Sequence, residues 1–227
     1  ETTDSLDLGL RYRTGNIQAQ FAGWYTRYNN RLASSYDPIL DESVFRNLGR
    51  VDKYGLDASV AWSPSPATMV YVFGSINESE IKDNVQTDTC SATDLANNVA
   101  QCTAVGDPIF ALTAGKNESG APLWTVGARL QQQLGDFELG AQIKHTGKRW
   151  VNDTNTRSVG GYTLVDLDVR WNITQNQFGD DVAIQLNVTN LLDKLYVGGF
   201  GGDLDGNSPF VQIGAPRAAS ISLIFGY

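Results

Sequence analysis

Long stretches in which apolar and polar residues alternate with period two, joined by connections that are tight and extended by turns, constrain this 227-residue chain more than any other feature. In a strand, successive side chains point to opposite faces, so each stretch has one greasy and one wet side. Leu6, Leu8, Leu10 and Tyr12 share a face, with Asp7, Arg11 and Arg13 opposite. Gly15-Asn16 reads as a turn, and Ile17, Ala19, Phe21, Gly23 and Tyr25 return. A stretch from Val44 to Trp62 ends at Ser63-Pro64-Ser65-Pro66, and Met69, Tyr71 and Phe73 follow. Trp124 to Leu134, Phe137 to Ile143, Val165 to Ile173 and Val182 to Val188 repeat the pattern. The chain closes on Ala219, Ile221, Leu223, Phe225 and Tyr227, all on one side.

No window sustains apolar residues at helical spacing, so about nine strands and no helix are expected. Several strands run about ten to thirteen residues, against a mode near five or six in globular sheets; about 9–11 cross a bilayer on a tilt. Connections at Gly15, Ser63–Pro66 and Gly135-Asp136 are tight, and Thr174–Asp181 is intermediate where a short turn is due. Those at Asn29–Ser43, Glu78–Pro122, Val151–Gly160 and Leu192–Gly214 are long. Short turns at one end and long loops at the other is the pattern of an outer-membrane barrel. Tyr12, Trp62, Trp124, Trp150, Trp171 and Tyr227 are candidates for aromatic girdles at the membrane surfaces. Phe225 and Tyr227 are read as an assembly signal. Arg11, Arg129, Glu138, Lys144, Asp166, Asp168 and Arg170 fit a wet lumen and cross-strand pairing.

Composition narrows the partners. A net charge of −8 and a pI near 4.6 argue against nucleic acid, whose binders carry basic stripes. No run of eighteen or so apolar residues exists, which excludes a helical membrane span and leaves a barrel open. Glu1 to Ser5 carry no export-signal pattern, so the chain is either cytosolic or without its original start. Cys90 and Cys102 are close enough to bridge a short loop, worth roughly 3 kcal/mol in a chain-entropy model. Free thiols are the alternative; a metal is disfavoured because no histidine or further cysteine lies nearby. A bridge suits an oxidising compartment.

Leu186-Asn-Val-Thr-Asn190-Leu-Leu-Asp193-Lys-Leu-Tyr196 resembles the N-L-F/L-D-x-x-Y stretch of TonB-dependent outer-membrane receptors, and Gly214-Ala-Pro-Arg217 resembles their G-x-P-R entry to the closing strand. Asn47-Leu-Gly49 with Tyr54-Gly55-Leu56-Asp57, and Gly161-Tyr162 with Asp166, are similar to further strands of that family. The resemblance covers nearly the whole chain. It implies an all-β, antiparallel transmembrane β-barrel in the bacterial cell outer membrane, with residues 1–227 as the C-terminal portion, about nine strands of a larger barrel of about 22. Short periplasmic turns and long extracellular loops follow from it, as does the absence of the plug domain from these residues. The implied partners are outer-membrane lipid, the N-terminal strands and plug of the same polypeptide, TonB through that plug, the barrel-assembly machinery and a small nutrient ligand. No cofactor and no enzymatic activity are implied.

Other chemistry is weaker. His145 is the sole histidine and lacks a Gly-x-Ser-x-Gly elbow, so a rim histidine is expected in place of a catalytic one. Asp203, Asp205 and Asn207 resemble half of a calcium loop, but the turn glycine is Ser208 and the twelfth position is Gly214. The loop Glu78–Pro122 carries seven acidic residues against Lys82 and Lys116, an acidic lid whose charge would select among anionic ligands. Tyr36 and Tyr196 are candidates for ligand capture in neighbouring loops. A small autonomous outer-membrane pore or adhesin, and a soluble sugar-binding β-sandwich, are the rival readings.

Overall fold

The computed structural model describes residues 1–37, 42–173, 182–201, 204 and 210–225. Nine long strands form one antiparallel sheet in chain order: β1 (Thr2–Thr14), β2 (Ile17–Asn29), β3 (Val51–Ser65), β4 (Thr68–Ile81), β5 (Trp124–Leu134), β6 (Phe137–Thr146), β7 (Tyr162–Ile173), β8 (Val182–Thr189) and β9 (Ala218–Phe225). Each strand pairs with its sequence neighbours alone, an up-and-down meander. Tight reversals need backbone conformations that glycine tolerates, and Gly15 (φ 42°) and Gly135 (φ 57°) supply them at the first and third short turns.

Register assembles the apolar halves of the strands into one continuous face. Across the sheet, Leu8 lies opposite Gly23, Gly23 opposite Leu56, and Leu56 opposite Ile76, which pairs with Trp124. Further along, Phe137 bridges Leu134 and Trp171, Trp171 pairs with Ile184, and Ile184 with Leu223. A one-residue slip at any strand would turn its apolar set to the wet side, so the pattern itself fixes the register. No described element packs on this face, and Leu8, Leu10 and Ile221 are 70%, 75% and 75% exposed. The 11 residues of β5, at about 3.3 Å each and a tilt near 40°, rise roughly 28 Å, enough to cover a barrel's apolar band of about 25 Å. Tyr12, Trp62 and Trp171 mark its short-turn end, and Trp124 the other.

The main buried cluster is not under the sheet but where the ends of β3 and β4 meet the long connections. Leu48, Val51, Ile81, Val85, Ala111 and Leu204 cluster there, with Tyr28 packed against them. Four small hairpins decorate these loops: Leu32–Asp37 with Glu42–Asn47, Val85–Thr89 with Pro108–Ala111, Arg149–Trp150 with Ser158–Val159, and Val197–Phe200 with Val211–Ile213. Two expectations are corrected. The stretch from Val44 to Trp62 is two strands, because Gly49 turns the chain at φ 71° and passes it from the loop hairpin to β3. A helix is present at Ala92–Ala96, five residues too short for periodicity to reveal and nucleated by a capping box from Ser91 and Asp94.

Candidate functional site

The face opposite the apolar one is polar, and it leads up to a mouth formed by the long loops. Asp57, Ser59, Ser75, Gln20 and Arg11 share it with the aromatics Trp24, Tyr71 and Phe73, because each pairs in register across β1 to β4. All of these but Trp24 line a concavity of about 710 Å³. Trp24 Nε1 donates to Asp57 Oδ2 at 3.0 Å, so an indole on this face still finds its acceptor. Arg129 grips Asp168 with two nitrogens, at 2.8 and 3.0 Å, across β6, where Gly140 leaves room for the pair. Glu138, Lys144, Asp166 and Arg170 stand on the same face by register. All the lumen candidates read from the sequence therefore share one side of the sheet.

At the mouth the loops are stitched to one another. Asn152, fully buried, accepts at Oδ1 from the backbone N–H groups of Thr156 and Arg157 and donates to the Thr154 and Thr156 hydroxyls. Its neighbour Asp153 accepts from Ser119 N at 2.7 Å, and Asn155 accepts from Asn117 N at 2.8 Å, tying this loop to the Glu78–Pro122 connection. Glu118 N donates to the Ser79 hydroxyl at 2.8 Å, which carries the tie onto β4. Arg149, 7% exposed, donates to the carbonyls of Val197 and Gly198 and lies against the rings of Tyr162 and Phe200. Tyr196 packs 4.3 Å from Tyr162, and Gly214 leaves the space its ring needs.

Charge concentrates around Glu118. Its carboxylate meets Lys53 Nζ at 2.6 Å and Arg31 at 3.0 Å, and both cations approach the Tyr28 ring at 5.1 Å. Arg31 also meets Glu1 at 3.2 Å. Burial opposes the Arg31 charge, but Glu118 and Glu1 outweigh it and hold its pKa above the ordinary value. The Leu32 N–H and Arg31 together hold the Glu1 carboxyl below the usual range. The lid foreseen as acidic is thus partly neutralised, with Glu118 paired here and Glu80 paired to Lys82.

The remaining candidates fall as follows. Cys90 and Cys102 form a disulfide with Cα atoms 5.7 Å apart, closing the loop around the short helix. His145 stands at the rim on the apolar face, stacked on Trp124 at 4.6 Å and bonded to the Thr163 hydroxyl at 2.8 Å. Trp150 lies in a loop hairpin beneath Lys148 and is not part of a girdle. The Tyr36 backbone pairs with Ser43 in its hairpin. Phe225 is exposed on the apolar face, whereas Tyr227, Asp203, Asp205 and Asn207 lie outside the described residues. Sequence reading missed Arg31 and Lys53 and counted Glu118 only among the acidic residues of its loop, because the three meet only through tertiary structure; the Asn-Asp-Thr-Asn run at 152–155, a cluster of turn formers, was a readable pointer to the loop knot.

A family model described as "TonB dependent receptor-like, beta-barrel" matches residues 1–191. The chain is 26% identical over 198 residues to the ferrioxamine receptor of Yersinia enterocolitica, covering 86% of this chain and 24% of that one. The solved ferric yersiniabactin uptake receptor of Yersinia pestis superposes with a TM-score of 0.68 at 18% identity over 98% of this chain and 30% of its own. A siderophore receptor of Acinetobacter baumannii gives 0.70 at 18% identity over 97% and 28%. These structures support the fold, and the chain spans about a quarter to three tenths of the relatives' length.

Proposed function

This chain belongs to the TonB-dependent receptor β-barrel family, and we propose that it forms part of an outer-membrane active transporter that binds a scarce nutrient at its extracellular loops. The nutrient then enters with energy delivered by TonB. In this reading the described sheet is the C-terminal part of the barrel wall, and a plug and further strands come from the same polypeptide. The segment positions and encloses its ligand without altering it covalently.

The observation that carries the proposal is the two-sidedness of the nine-stranded sheet: an apolar face that no described element covers, and a polar face rising into loops with a packed core. A bare apolar face of this extent is unstable in water and suited to hydrocarbon. Because backbone groups cannot stay unpaired in lipid, such a sheet belongs to a closed barrel. Long loops with their own buried side chains are scaffolds for recognition. The relatives named above are receptors for iron-carrying ligands, which makes an iron chelate the first class of nutrient to test.

The test is uptake of a panel of radiolabelled ferric chelates by Gram-negative cells that express the full-length polypeptide and lack their own chelate receptors. Accumulation that appears with the polypeptide and vanishes when TonB is deleted is the expected result. Accumulation independent of TonB would support the passive pore, and a detergent-free monodisperse monomer would support the soluble sandwich.

A further inference from the structure

The ion cluster at the mouth has the form of a filled anion site. Lys53 stands on the lumen-side face of β3, opposite Thr26 and Ser79, and Arg31 lies just past the end of β2. Their cationic groups flank one ring, Tyr28, and converge on one carboxylate. Two cations beside an aromatic face make a receptor for a planar or delocalised anion, since the ring gives an apolar floor and the cations supply charge. The carboxylate that occupies it is not part of the wall. Glu118 belongs to the long Glu78–Pro122 connection, in contrast to Asp168, which is fixed on β7 and meets Arg129 across β6. Its loop is tied to the end of β4, Glu118 N and Asn117 Nδ2 donating to the Ser79 hydroxyl and carbonyl, and to the neighbouring loop, Asn117 N and Ser119 N donating to Asn155 and Asp153.

We propose that Arg31, Lys53 and Tyr28 form a subsite for an anionic group of the ligand, carboxylate or catecholate in character, and that Glu118 is an internal surrogate that the ligand displaces. The proposal rests on the ligand-receptor reading above and specifies the charge of what is received. Displacement has a defined consequence, because moving Glu118 strains the contacts that join its loop to Asp153 and Asn155. Ligand arrival is thereby coupled to a rearrangement of two loops. Glu1 and Glu78 stay close, with Glu1 on Arg31 and Glu78 accepting from Asn117 at 3.5 Å, so the subsite selects anions that offer both cations a partner at once.

The experiment uses the full-length receptor in detergent and metal-free citrate as the anionic probe, followed by calorimetry, with an uncharged sugar of similar size as control. Replacing Glu118→Gln removes the competing charge, so citrate binds about three- to tenfold more tightly, and Lys53→Gln weakens it by a similar factor. The sugar responds to neither change. A merely structural tie predicts the opposite for Glu118→Gln, because a loosened loop tightens nothing; unchanged, weakened or undetectable citrate binding in that variant overturns the subsite. Heat-modifiable migration of each variant verifies that the barrel is assembled. If ferric chelate uptake fails while citrate follows the expected order, the transport reading falls and the subsite stands; if uptake succeeds while citrate ignores Glu118→Gln, the subsite alone falls.

Discussion

Single residues at the mouth are constrained by backbone conformation and by the bonds their neighbours make. Gly49 adopts φ 71°, and a Cβ there would lie 2.2 Å from the Asp83 carboxylate oxygen that accepts from Arg50 N at 2.9 Å. Gly49→Ala therefore combines left-handed strain with the loss of that bond, an expected cost of about 1–3 kcal/mol. Limited proteolysis should detect it as faster cleavage in the loops while the barrel keeps its heat-modifiable migration. Asp94 supplies a pH-dependent counterpart. The Ser91 hydroxyl at 2.6 Å and the Ser91 N–H at 2.9 Å hold its carboxyl below the ordinary value. A depressed folded pKa contributes stability that is present above the unfolded value of about 3.9 and is lost as pH falls through the folded one. The capped helix should thus remain ordered at pH 5 and above, and NMR titration of the Asp94 carboxyl should give a midpoint under about 3.9.

At the level of elements, the two faces of a strand respond oppositely to the same substitution. Leu130 is exposed on the apolar face of β5 near mid-strand, where an arginine is expected to cost about 2–4 kcal/mol. Gln20 is exposed on the polar face of β2, where arginine should change stability by less than about 1 kcal/mol. Denaturant unfolding of the full-length protein in lipid vesicles compares the two; equal costs would contradict the lipid-facing assignment. This contrast also explains what was legible beforehand. Strand alternation is local and periodic, so the sheet strands, their order and their inward and outward residues could be read directly. Loop architecture is neither local nor periodic. Glu118 reaches Arg31 across 87 residues, and the helix after Ser91 rests on one capping box. Gly49 shows the cost of reading alternation alone: the pattern continues through it, but its positive φ ends one strand and starts another.

For the whole molecule, the sheet has two edges, and they set how the chain behaves in isolation. Within the described sheet β1 pairs only with β2, β9 pairs only with β8, and the two edges do not pair with each other. The thirteen-residue β1 therefore presents a row of unpaired N–H and C=O groups, each costing several kcal/mol in hydrocarbon. Such an edge recruits any available strand. Residues 1–227 expressed alone should consequently form oligomers, or remain in inclusion bodies, and lack the compact, heat-modifiable monomer expected of the full-length polypeptide. Strand β9 carries Phe225, one of the two residues read from the sequence as an assembly signal. Phe225 projects from the apolar face at the short-turn end, opposite Val182, where an assembly factor acting from the periplasmic side would meet it. In the full-length protein, Phe225→Ala combined with deletion of Tyr227 should lower the yield of assembled barrel several-fold, while the fraction that does assemble binds ligand as the parent does. Both outcomes are read on one gel with and without heating, paired with a binding titration on the assembled fraction. A compact monomer from residues 1–227 alone would mean that β1 and β9 meet after all, making this segment a small barrel in its own right.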